Sequence, residues 1–99
     1  MNIHLNDKLT NLLMEAGGMS ITRPTIADVI TWLYLSHDIW INSYPYDADI
    51  NDKKWNATVS ELYWGDDEEI HCSYRTKSVD TPVEAYFEAI EYVLAKLLI

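Results

Sequence analysis

The stretch Thr81-Pro82-Val83-Glu84 constrains this chain most, because it fixes where a helix starts and which side of it is apolar. Thr81 suits the N-cap, Pro82 suits the first helical position, where its missing N–H is no loss, and Glu84 completes a capping box. Beyond it Val83, Phe87, Ile90, Leu94 and Leu97 recur at helical spacing, thickened by Ala89, Val93 and Leu98. Glu84, Glu88 and Glu91 fall on the other side. A helix over 82–98 with one such face needs a second layer to cover it.

Three segments supply that layer. IWINSY, residues 39–44, is β-branched and aromatic, the composition of a strand. In WNATVSELYW, residues 55–64, Trp55, Ala57 and Val59 alternate with Asn56, Thr58 and Ser60. The alternation slips near Glu61-Leu62, where a bulge or twist is expected. Residues 69–77 alternate Ile70, Cys72 and Tyr74 against His71, Ser73, Arg75 and Lys77. This places Cys72 in the core and leaves a wet face opposite. A polar loop over 45–53 and a turn at Gly65-Asp66-Asp67 make the sheet antiparallel, one face dry and one wet.

Two helices precede the sheet. Asn6 can cap a helix over 5–16 whose Leu5, Leu9, Leu12, Leu13 and Ala16 share a side, and Gly17-Gly18 ends it. Thr25-Ile26-Ala27-Asp28 is a capping box with Asp at the third helical position, opening a helix over 25–36. Ile26, Val29, Ile30 and Leu33 form its stripe, and Trp32, Tyr34 and Leu35 widen it, so this helix is expected to be buried nearly all round. The expected architecture is α+β, in the order α-α-β-β-β-α: a three-stranded antiparallel sheet with its helices packed on one face. Residues 1–99 form a single domain, a helical part over 1–18 followed by an α-β-β-β-α core over 25–99.

Ninety-nine residues, 48% of them hydrophobic, are enough to bury roughly two thirds of the unfolded chain's surface without disulfide or metal staples. Sixteen acidic against seven basic residues give a net charge of −9, a field that repels phosphate. Nucleic acid and anionic membrane are therefore not the expected partners. Cys72 is the sole cysteine, so no internal disulfide can form, which fits a reducing compartment. The opening MNIHLNDKLTNLL lacks both a basic start and an unbroken apolar stretch of signal length, and a cytoplasmic location is expected.

Catalytic chemistry finds little footing. Asp47-Ala48-Asp49-Ile50-Asn51 starts like a calcium loop, but Asp52 stands where glycine is needed and Thr58 where a bidentate Glu is needed. His71 and Cys72 are strand neighbours that point to opposite faces and cannot form a nucleophile–base pair. His4 and His37 have no zinc-like spacing to another ligand. No glycine-rich phosphate loop exists among three glycines. No catalytic residue, cofactor or metal is expected.

Aromatics and acids are the surplus. Four Trp and seven Tyr exceed what one small core holds, so Trp40, Trp64 and the Tyr44-Pro45-Tyr46 stretch are expected at the surface. Asp66, Asp67, Glu68 and Glu69 form the densest charge run, most simply a solvated hairpin tip and otherwise a docking patch. The candidate interaction surface is thus Trp40, Tyr44, Tyr46, Trp64, Asp66, Asp67, Glu68 and Glu69.

The stretches TIADVITWLYLSHDIWINSYP and TPVEAYFEAIEYVLAKLL resemble short uncharacterised proteins of gut anaerobic bacteria and their phages or other mobile elements. That resemblance spans most of residues 5–99 and implies no active site, since it lies in caps and core positions. Residues 25–98 also resemble the double-stranded RNA-binding domain in segment order. That family grips RNA with basic residues at the start of its last helix. Here the start is Asp80-Thr81-Pro82-Val83-Glu84, with only Arg75 and Lys77 nearby. The expected function is non-enzymatic binding of a protein partner or self-association, in a product of a phage or mobile element. The alternative is an acidic mimic of nucleic acid that blocks a host defence or DNA-processing protein.

Overall fold

The computed structural model describes residues 3–18, 23–49, 52–62 and 70–99, of which 46–49, 52–53 and 70–71 are described in backbone only. The elements are α1 (Asp7–Glu15), α2 (Ile26–His37), β1 (Ile39–Asp49), β2 (Asp52–Leu62), β3 (Ile70–Arg75) and α3 (Pro82–Tyr92), which runs on into a π-helical end, Val93–Leu98. This is the expected α-α-β-β-β-α order, with the antiparallel sheet ordered β1-β2-β3. The closing helix is not α-helical throughout 82–98: its last six residues widen to the π form.

The helix ends follow from local chemistry. Asn6 Oδ1 accepts from the Leu9 N–H at 2.9 Å, starting α1. At its other end Gly17 adopts φ 74°, and Gly17 and Gly18 donate to the carbonyls of Met14 and Leu13. These two bonds form a Schellman closure, which needs a left-handed residue at Gly17. Thr25 and Asp28 form the full reciprocal box, at 3.2 and 2.9 Å. Thr81 makes only half of one: its hydroxyl accepts from the Glu84 N–H at 3.2 Å, with Pro82 beside it, and the Glu84 carboxylate does not return the bond.

An extended segment pins the start of α2. Leu5 donates to Pro24, and Ile26 donates to Ile3, around a single bridge between His4 and Thr25. At the far end Asp38 takes a left-handed conformation (φ 54°, ψ 38°), and β1 begins at the next residue.

The sheet register sets Trp40 opposite Ser60, Ile41 opposite Val59, Asn42 opposite Thr58 and Tyr44 opposite Asn56. Both strands run through most of the expected 45–53 loop, to Asp49 and from Asp52. The polar composition that suggested a loop is equally compatible with a two-stranded ribbon solvated on both faces. Leu62 N–H donates to Asp38 O, so even-numbered β1 residues turn their backbone to β2 and odd-numbered ones turn outward. Pro45, with no N–H to satisfy, sits at an outward position, the one a strand tolerates. The outward edge is covered at Ile39 and Ile41, which keep 5% and 1% exposure.

Between β2 and β3 the register shifts at Val59/Ser60: Val59 pairs Tyr74, whereas Ser60 pairs Cys72. Ser73 is the extra residue, so the irregularity falls at Val59/Ser60, beside the expected Glu61-Leu62, with the bulged residue on β3. It reverses the facing of everything before it. Tyr74 therefore stays with Val59 on the helix side, while Cys72 turns out to solvent with Ser60 and is exposed. The expected core cysteine is corrected to a surface one.

The core lies between the sheet and the helices. α3 rests on β1 and β2, α2 on β1, and α1 on α3 and its π-helical end. Ala85, Ala89 and Val93, spaced four apart, are fully buried together with Ile90 and Leu94. Two alanines let the α3 backbone approach the sheet closely, which moves the contact line off the expected centre. Phe87 thus packs at the rim, half-buried. Helix α2 also differs from expectation: Ile26, Val29 and Leu33 are buried, but Tyr34 and Leu35 keep 42% and 73% exposure. One sheet face is enough to cover only one stripe of this helix.

Candidate functional site

With all helices on one side, the opposite face of the sheet is open. Pleat and register assign it Trp40, Asn42 and Tyr44 from β1, Asn56, Thr58 and Ser60 from β2, and Cys72 and Arg75 from β3. Trp40 and Tyr44 are four residues apart on one strand, about 13 Å at strand rise. Arg75 lies beside Thr58, in the same cross-strand row as Asn42.

Trp40 is 44% exposed, large for an indole, and Tyr34 meets it edge-on, ring centroids 5.6 Å apart at 80°. That contact holds the ring against α2 and leaves its remaining surface free. On the helix side Trp32 packs edge-on against His37 at 4.8 Å.

Below Tyr44 the face is carved. Asn56, 6% exposed, donates through Nδ2 to Thr76 O at 2.8 Å and accepts from Ser78 Oγ at 3.4 Å. Thr76, 3% exposed, accepts from the Ala57 N–H at 2.9 Å through its hydroxyl. These bonds clamp residues 76–78 onto β2 and leave a depression of about 290 Å³ lined by Tyr44, Asn56, Arg75, Lys77 and Ser78.

Charge is unevenly spread over the molecule. Around Trp40 and Tyr44 the strand residues of the open face, Asn42, Asn56, Thr58 and Ser60, are uncharged; Lys54, paired with Asp80 at 2.5 Å, and Arg75 flank them, while Asp49 and Asp52 pair at the far end of the ribbon. Glu84, Glu88 and Glu91 sit on α3, where Glu91 pairs Lys8 at 2.6 Å and Glu88 pairs Lys77 at 3.6 Å. The start of α3 offers no basic patch, so the RNA grip of the double-stranded RNA-binding domain has no counterpart there.

Of the residues expected at the interaction surface, Trp40 and Tyr44 share this face. Tyr46 lies in β1 opposite Lys54, described in backbone only. Trp64, Asp66, Asp67, Glu68 and Glu69 lie outside the described residues. Sequence reasoning left out Tyr34 and Arg75. Arg75 was assigned to the wet face; only the clamp by Asn56 gives it a setting. Among the described residues no three His, Cys, Asp or Glu side chains are grouped to hold a metal, and no helix is long and apolar enough to cross a membrane.

Comparison with protein-family models, curated proteins and solved structures finds no match to this chain.

Proposed function

We propose that this chain is a small non-enzymatic module that binds a protein through the open face of its sheet. One observation carries the proposal: Trp40, Tyr44 and Arg75 share a face on which the strand residues among them, Asn42, Asn56, Thr58 and Ser60, are uncharged, in a chain of net charge −9. Trp, Tyr and Arg are the residue types that dominate binding energy at protein interfaces. Acids are depleted at interface centres, and Glu84, Glu88 and Glu91 sit on α3, away from this face. The nucleic-acid mimic draws less support, because two of the three α3 glutamates are partnered by lysines. The resemblance of its helices to phage and mobile-element proteins supports such an origin, and the exposed Cys72 thiol agrees with a reducing, cytoplasmic setting.

The test is comparative capture. Immobilised wild-type chain and a Trp40→Ala/Tyr44→Ala variant of matched melting temperature are exposed to the same bacterial lysate. A protein retained by the first and lost from the second is the expected result. Equal retention by both would reject the open face as the docking surface.

A further inference from the structure

We propose that the depression under Tyr44 is a receptor for a carboxylate group, with Arg75 as its principal cation. The inference deepens the docking reading, on which it rests for the identity of the molecule presenting the carboxylate.

The setting of Arg75 is the starting point. Among the described residues no carboxylate lies within ion-pair reach of it, although acids outnumber bases 16 to 7. An arginine is the residue whose planar fork matches a carboxylate with two parallel hydrogen bonds. Lys77, on the same rim, is 79% exposed, and its 3.6 Å pair with Glu88 is long enough to be exchanged for a closer partner. The hydroxyl of Tyr44 adds a neutral donor.

The floor is what turns this from a surface cluster into a shaped site. Asn56 is buried, and both ends of its amide are engaged by residues 76–78, so the wall bearing Arg75 and Lys77 is held to β2. Thr76 fixes the same segment a second time through Ala57. The backbone that carries the donors is thereby fixed, and a ligand group has only their side chains to order.

Between the two common oxyanions, charge decides. A phosphate monoester brings nearly two negative charges into the field of a protein that already carries −9, and a carboxylate brings one. The same field weighs more heavily against a nucleic-acid strand. The volume, about 290 Å³, accommodates a carboxylate with the few atoms that carry it.

The experiment follows backbone amide shifts of the whole chain during titration with short neutral-capped peptides. Acetyl-Gly-Glu-Gly-amide is compared with its Gln isostere, with acetyl-Gly-Gly-Gly bearing a free carboxyl terminus, and with inorganic phosphate. Saturable shifts at residues 75–78 and Tyr44 with a carboxylate peptide, and none with the Gln isostere, are expected. The stronger of the two carboxylate peptides assigns the source as a side chain or a chain terminus. Arg75→Gln should weaken the interaction about tenfold or more, the loss of the charge-assisted fork. Arg23→Gln, an exposed arginine outside this face, should leave it unchanged. Saturation by phosphate alone, equal response to Glu and Gln peptides, or an unchanged affinity in Arg75→Gln with intact shift dispersion would each overturn the inference. These outcomes are separable from failure of the docking reading, since the titration needs no partner and compares the wild-type chain with Arg75→Gln, in which Trp40 and Tyr44 are intact.

Discussion

The rings of Tyr74 and Tyr92 lie flat on one another, centroids 3.9 Å apart with 7° between their planes. The contact joins β3 to the last α-helical residue of α3, where the helix widens into its π-helical end. Edge strands of six residues hold few contacts of their own, so this stack is a main tie between β3 and the helix layer. A double-mutant cycle with Tyr74→Leu and Tyr92→Leu should give a coupling energy of about 0.5–1.5 kcal/mol. A coupling near zero would mean that the rings are neighbours without a shared energy.

The closure of α1 gives a sharper test. A Cβ at Gly18 would stand 2.5 Å from Leu13 Cδ1 and 2.8 Å from Leu13 O, whereas one at Gly17 meets nothing within 4 Å. Leu13 is 1% exposed and cannot withdraw freely. Gly18→Ala should therefore cost about 1–3 kcal/mol through overpacking. Gly17→Ala, strained only by its positive φ, should cost about 1 kcal/mol. Urea midpoints with unchanged slopes would measure both, and the reverse order would contradict the closure described.

The two apolar residues of α3 that the helical repeat treats alike are separated by the structure. Ile90 is fully buried and Phe87 lies at the rim. Ile90→Ala should cost about 2–5 kcal/mol. Phe87→Ala should cost less than Ile90→Ala despite removing more atoms, because its ring lies at the edge of the core and is only partly buried. Equal or inverted losses in thermal or urea unfolding would place the contact line of α3 back on Phe87.

Acid should act through the α2 cap. The Asp28 carboxylate accepts from the Thr25 N–H at 2.9 Å, and this backbone bond first, then the Thr25 hydroxyl, holds its pKa below the usual aspartate value. With the folded pKa lower than the unfolded one, the stabilisation is present above about pH 4 and is lost as pH falls through the folded pKa. Asp28→Asn should flatten the stability–pH curve below about pH 4 and leave its slope near neutrality unchanged. An identical acid limb in both proteins would remove Asp28 as its source.

The sequence carried the frame of this fold because capping boxes and periodicity are local. Thr25-Asp28, Thr81-Pro82 and Gly17-Gly18 each declare a helix end within four residues. What escaped depends on how elements meet. Cys72 appeared apolar by alternation, and only the pairing of β2 with β3 reveals that Ser73 is an inserted residue. Leu35 and Tyr34 extend the stripe of α2, but the width of sheet available to cover them is not written in the helix itself. The candidate site was legible at Trp40 and Tyr44, where an excess of aromatics had to emerge at the surface. Arg75 acquires its place from Asn56, 19 residues earlier in the chain, a pairing that no spacing pattern discloses.

A single residue, Asp38, stands between α2 and β1, and it turns the chain in a left-handed conformation whose N–H returns to Leu33. A connection with no spare length behaves as a rigid elbow. Trp40 stands two residues past that elbow, braced by Tyr34 from the preceding helix. Its direction in space is therefore inherited from the axis of α2, and a push on the indole is felt as torque on the helix. An incoming surface meets a fixed post, so little motional freedom remains to be surrendered when the two come together.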